Sequence, residues 1–401
     1  MSDFYRSIEQ DDSGVARVLL DRVQKTPDAV PMHYGSPAYD PTGLLQEQLK
    51  DNCLRFDIFQ KEVKKYEEPR GSLSLRCAIA DFYNVRHNLN VDPEKEIILT
   101  NGSVEAFTLS VMVTTNIGDF ISTTNPTYML FSKAAESLGR KVNVIDRPPG
   151  VDEYSSIVNS IDFGNTSCFV INSPENPTGY VLSSKDWVEV SKLADKYNFY
   201  IIHDEILSAL DFDRMHIPSI SIPSLKSKSV LVNGFSKVFG MPGIKLGWMV
   251  AESEIINRAI KYHDYLYLGV NPISENIAIN VLENKEIHNW LDSWRDTLRL
   301  RTHRLLEALN ESLGYEWPRT PHGGLSLTPK VDNLYDMIPT KYKDSHLSRG
   351  ASVSNYLFDR YCVSVTPASV YGSALSSYIK IVTCGMESQF EKGILRLQCK
   401  I

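Results

Sequence analysis

A chain of 401 residues with 42% apolar and 23% charged side chains is long enough for two or three domains with substantial cores, and its composition excludes disorder and collagen-like repetition. Its formal net charge of -7 offers no basic field to gather phosphodiesters or a membrane surface, so neither nucleic acid nor membrane is expected as a partner. Six scattered cysteines (Cys53, Cys77, Cys168, Cys362, Cys384 and Cys399) with no C-x-x-C pair argue against zinc and against a disulfide scaffold, and favour a reducing, cytoplasmic setting.

The first residues, MSDFYRSIEQDD, are too acidic and too poor in continuous apolar residues for a signal or transit peptide, and no stretch reaches the length of a transmembrane helix. From about residue 95 to 250, short β-branched runs alternate with longer amphipathic ones, the rhythm of βα units around a mostly parallel sheet. Strands are expected over 97–100, 120–123, 168–172, 199–203, 229–232 and 245–250. Helices are expected over 103–113 and 187–197, where apolar residues recur at helical spacing. The charged run from His288 to Gly314 reads as one long helix ending at that glycine, with short strands and a last helix after it. The expected architecture is α/β: a large domain over 46–285, a smaller α+β domain over 286–401, and an N-terminal segment, 1–45, joining the small domain.

Three residues stand where strands are expected to end. Lys237 lies in NGFSKVFGMPGIKLGW, at a strand exit where open α/β sheets bind ligands and where desolvation would leave its amine able to form a Schiff base. Asp204 closes the apolar run FYIIHD, where an acid must be exposed, paired or functional. Asn176 follows the run 168–172 in SPENPTG. Each is separated from the next by roughly one βα repeat of about 30 residues, which sets them on neighbouring strand ends. Singly, each has a plainer explanation: a solvated lysine, a cap, a turn. Asn101, Gly102, Ser103 and Val104 leave a strand and open a helix, so free N–H groups and the helix dipole face any incoming anion; a plain capped turn is the other reading.

Together these strings resemble the class I/II aminotransferases, the fold type I PLP enzymes, with S-K-x-x-G-x-P-G-x-[RK]-x-G-W present from Ser236 to Trp248. The resemblance implies pyridoxal 5'-phosphate held as a Schiff base on Lys237, which also moves the α-proton of an amino acid substrate. It implies that Asp204 pairs with the pyridine nitrogen and Tyr128 stacks on the ring. Asn176 would bond the ring oxygen and touch the substrate carboxylate, while Gly102, Ser103, Val104, Ser236 and Lys245 hold the phosphate. Gly35 in HYGSP matches the segment closing over the substrate. Tyr66, in Y-x(4)-G-x(3)-L-R, resembles the tyrosine that reaches into a partner subunit's site, which implies a homodimer with shared sites.

Three positions depart from the family's usual pattern. Lys245 and Lys380 stand where arginines are usual, keeping charge but losing the planar two-pronged donor, although Lys380 in YIKIVTCG could also be a surface strand residue. Leu207 stands where a tyrosine usually donates to the ring oxygen. The segment HDYLYLGVNPISENIA is similar to capreomycidine synthase-like enzymes, which expel a side-chain group and close a ring. The favoured expectation is transfer of the amino group to a 2-oxo acid. Elimination or cyclisation of an arginine-derived amino acid is the alternative, and a non-catalytic binding or regulatory domain of the same fold a remote one. No G-x-G-x-x-G or G-x(4)-G-K-[ST] string is present for a nucleotide cofactor.

Overall fold

The computed structural model describes residues 15–41, 43–45, 64, 66, 68–147, 150, 154, 157, 163–310 and 314–398. After the helix Val15–Lys25 comes a short strand, β1 (Val30–Pro31). A seven-stranded sheet then forms from β2 (Ile97–Thr100), β3 (Phe120–Asn125), β4 (Lys141–Asp146), β5 (Thr166–Asn172), β6 (Tyr200–Asp204), β7 (Ser229–Gly234) and β8 (Gly247–Ala251). Its spatial order is β2-β8-β7-β6-β5-β3-β4. Strands β3 to β7 pair in parallel, whereas β8 runs antiparallel to both neighbours, β7 and β2.

The central strands are continuous apolar runs because packing covers both faces of the sheet. Val170 and Ile202 join one core with Phe107 and Met249; their sequence neighbours Ile171 and Ile201 point the other way, into a core with Trp187 and Phe199. The helix Ser184–Tyr197 on that second face starts at a capping box, with Ser183 and Asp186 each bonding the other's backbone N–H and so satisfying two otherwise orphaned donors.

The C-terminal part holds the helices Ile287–Asn310, Arg349–Tyr361 and Glu387–Leu397 with β9 (Ser326–Leu327), β10 (Val363–Ser364), β11 (Thr366–Pro367) and β12 (Ile379–Val382). Strand β12 pairs antiparallel with both β11 and β9. Strand β1 pairs in parallel with β10, Val30 opposite Val363, and Val30 and Met32 share a core with Leu327, Ile379 and Phe390. The N-terminal residues are thus part of the C-terminal packing.

Departures from the expected elements have local causes. The strand expected at 245 begins at Gly247, because Pro242–Ile244 forms a 3-10 turn and Lys245 takes a left-handed φ of 51°. The strand expected over 199–203 is displaced by one residue, so Asp204 is its last member. Strand β4 lies outside the expected set: it is an edge strand in which only Ile145 is fully buried. Among the described residues no helix is long and apolar enough to cross a membrane. Cys53 and Cys399 fall outside the described residues.

Candidate active site

Parallel strands deliver their carboxyl ends to one edge of the sheet, and that edge is where a cleft opens. Asp204 ends β6, while Asn176 and Lys237 follow β5 and β7 after short turns. Because β8 runs the other way, its beginning lies at the same edge, which brings Lys245 there too. A cavity of about 350 Å³ is lined by Gly35, Asn101, Gly102, Ser103, Val104, Tyr128, Asn176, Asp204, Leu207, Ser236, Lys237, Lys245 and Lys380. Of the residues singled out from sequence for cofactor or substrate, Tyr66 alone lies apart from this cavity, with 84% of its surface exposed.

Lys237 Nζ donates to the Gly35 carbonyl at 2.7 Å. Burial lowers its pKa, with Cys384 opposing the shift and the charge of Lys380 adding to it. An amine so placed spends more of its time as a neutral nucleophile than one in water. Asp204 is pushed up to about 7, chiefly by burial and further by Glu205, against the pull of one backbone N–H from Ile206 at 3.1 Å. A carboxylate with so little solvation gains strongly from a cation beside it.

At the other wall the helix Ser103–Thr114 opens on Gly102, whose φ is 92° and which has no side chain to cap the first turn. The orphaned N–H groups of that turn are a natural anion site. The turn presses directly on β8: a Cβ on Gly247 would stand 2.6 Å from the Gly102 carbonyl carbon and 2.7 Å from Ser103 N. An uncapped helix end, a cation at Lys245, a buried amine and a partner-poor buried carboxylate in one cavity fit the phosphate, aldehyde and ring nitrogen of pyridoxal phosphate.

Asn176 rides on a loop pinned from below. Glu175 forms an ion pair with Arg147, the two side chains 2% and 1% exposed, and also accepts from Thr178; Asn176 N donates to Asn172 Oδ1 at 2.7 Å. From the C-terminal part, Lys380 Nζ donates to Asn176 Oδ1 at 2.7 Å and to the Tyr371 hydroxyl at 3.0 Å. Lys380 is 5% exposed, so it is not a surface strand residue, and burial lowers its pKa to about 8.

Several cavity and near-cavity groups escape a reading of the sequence. His33 and Tyr371 line the cavity, and both ring nitrogens of His33 are buried without a hydrogen-bond partner. Behind Asp204, alternation along the strand turns His203 and Glu205 away from the cavity. There Glu205 accepts from Tyr83, from Asn233 Nδ2 at 3.3 Å and from His216 Nε2 at 2.9 Å. Burial lowers His203 to about 3 and His216 to about 4, so both rings are neutral. The acid pair after an apolar run signalled Asp204 only; nothing local to Glu205 announces partners on a helix, a strand and a loop.

Residues 39–396 match the family described as aminotransferase class I and II. The chain is 25% identical to an aspartate aminotransferase of Pyrococcus abyssi over 393 residues, 95% of this chain and 94% of that one. It is 23% identical to the arginine–pyruvate transaminase of Pseudomonas aeruginosa, covering 95% and 92%. The solved aspartate aminotransferase of Thermotoga maritima superposes with a TM-score of 0.83 at 21% identity, covering 99% of both chains. These relatives lend no support to the capreomycidine synthase-like resemblance of the segment 263–278. The chain is therefore an enzyme of the aminotransferase class I and II family, whose members of this fold use pyridoxal 5'-phosphate.

Proposed function

We propose that this enzyme moves the α-amino group of an amino acid to a 2-oxo acid. The observation that carries the reading is the meeting of the Lys237 amine, the Asp204 carboxylate and the uncapped helix end at Ser103 in one cavity. When bound, pyridoxal phosphate supplies a ring that accepts the electron pair left when the α-carbon loses its proton.

The residues divide that work. The N–H groups of Ser103 and Val104, with Ser236 and Lys245, would hold the phosphate, and Tyr128 would lie against the ring. Asp204 would keep a proton on the ring nitrogen, because a lone buried carboxylate is most stable beside a cation. Asn176 would donate its Nδ2 to the ring oxygen, a bond that Leu207 cannot supplement. Lys237 Nζ would hold the aldehyde and, once free of it, would serve as the base that takes the α-proton and returns it. Lys380 holds the substrate carboxylate, and Gly35 lets the N-terminal segment approach the substrate closely.

We further propose a homodimer in which Tyr66 completes the partner's site, supported by its exposure and by that of Val104, Tyr265 and Leu268. The large cofactor-bearing unit would span 46–285 and the small unit 286–401, joined by 1–45. A reducing, cytoplasmic setting is supported by the free thiols Cys77, Cys168, Cys362 and Cys384.

The test is stoichiometric. Purified enzyme given a panel of amino acids with a 2-oxo acid should form the new oxo acid and the new amino acid in equal amounts. A dehydrated or cyclised product made without consuming the added oxo acid overturns the reading.

A further inference from the structure

A buried ammonium carries three N–H donors, and Lys380 uses two, one on Asn176 Oδ1 and one on the Tyr371 oxygen. That second bond fixes the direction of the phenol. Its oxygen accepts, so its own proton is left to donate, and no acceptor for it is found among the described residues. The same inventory leaves Asn176 Nδ2 without a protein acceptor there. All three side chains line the cavity, and Tyr371 is 8% exposed with burial raising its pKa, so it keeps that proton at working pH. Two unaccepted donors therefore stand side by side in the cavity, a Lys380 N–H and the Tyr371 O–H, with Asn176 next to them.

A carboxylate has two oxygens with about four acceptor positions. A lone lysine meets it as a point charge, whereas an arginine meets it with two parallel N–H groups. We propose that Tyr371 is a substrate-binding residue whose hydroxyl supplies the second prong of the carboxylate anchor, so that Lys380 and Tyr371 together do what one guanidinium would do. The ammonium brings the charge, the phenol brings the fixed direction, and the hydrogen bond between them sets their spacing. This inference rests on the reading of Lys380 as the carboxylate site.

The test uses cofactor-loaded protein and propionate, an unreactive carboxylate that lacks an amine, titrated calorimetrically. Tyr371→Phe should weaken propionate about tenfold, the worth of one hydrogen bond to a charged group, while visible absorbance of the bound cofactor stays at the wild-type level. In turnover the loss should fall on KM and spare kcat. Adding Lys380→Arg to Tyr371→Phe should recover most of the lost affinity, because the guanidinium carries both prongs itself. Lys380→Met probes the same anchor without touching Tyr371; after it, Tyr371→Phe should cost less than it does alone. Propionate affinity unchanged by Tyr371→Phe, or no recovery on adding Lys380→Arg, overturns the proposal. Amino-group exchange measured on the same preparations separates the two readings. If exchange proceeds and propionate ignores Tyr371, the anchor falls alone; if no exchange is seen yet Tyr371→Phe weakens propionate, the reaction falls and the anchor stands.

Discussion

At the strand edge of the cavity, the groups that face a ligand are backbone N–H groups of a helix start and side chains carried on β6 and on the turn after β7. At the opposite end, Lys380 and Asn176 meet across 204 residues of chain, with Tyr371 closing the 3-10 turn Ala368–Tyr371. The first end is made by secondary structure itself, so its chemistry survives wherever the sheet forms. The second end exists only when two separately packed parts of the chain come into register. One end should tolerate little change in chemistry, and the other little change in packing.

That contrast can be broken most sharply at the strand edge. Lys237→Ala removes the amine proposed both to bind the cofactor and to move the proton, and should lower kcat/KM by about 10⁴-fold with thermal stability of the folded chain preserved. Retained turnover would dissolve the distinction. Next in size is the support beneath Asn176. Arg147→Met leaves the Glu175 carboxylate buried without its ion-pair partner and should cost about 3–5 kcal/mol in denaturant unfolding. KM should rise in parallel, because the loop that carries Asn176 is released. A stability loss without any effect on KM would show that the two ends are not coupled through this loop.

The smallest effect is a pH dependence confined to the Lys380 end. Lys380, lowered to about 8 by burial, is charged below that pH and neutral above it. Substrate affinity should therefore be full in acid and neutral solution and fall as pH rises through about 8, KM climbing tenfold per unit beyond it. The titratable groups facing it do not imitate this: burial raises Cys384 to about 11 and raises Tyr371, and Lys237 is the amine proposed to be taken up by the cofactor in the loaded enzyme. Lys380→Arg keeps its charge throughout and should flatten the profile; an unchanged alkaline limb in that variant would assign the effect elsewhere.

How far sequence reaches follows the same division. The sheet and its helices were legible because β5, β6 and β7 are unbroken apolar runs with turns at their ends, and Asp204 stood out as an acid closing one of them. Lys237, Ser236 and Lys245 lie within a dozen residues, so their joint presence is a local pattern. Strand β4 is half exposed at an edge, which leaves it without the period that marks its neighbours. Tyr371 and His33 carry no local signal at all: a tyrosine ending a 3-10 turn and a histidine after a two-residue strand become cavity groups only through contacts made far along the chain. The pair Arg147 and Glu175 was likewise invisible, since a buried charge is recognised by its partner and not by its own flanks.

The turn between β7 and β8 has one more consequence. Gly234 and Gly247 face each other in register, Phe235 N bonds Leu246 O at 3.1 Å, and Met241 N folds back onto Phe235 O at 3.0 Å. Both feet of this segment are thus nailed to adjacent strands, and Lys237 and Lys245 ride on the one short length of chain between them. With both ends so anchored, a side chain added at Gly234 or Gly247, where a Cβ would meet backbone atoms, should displace the two lysines together.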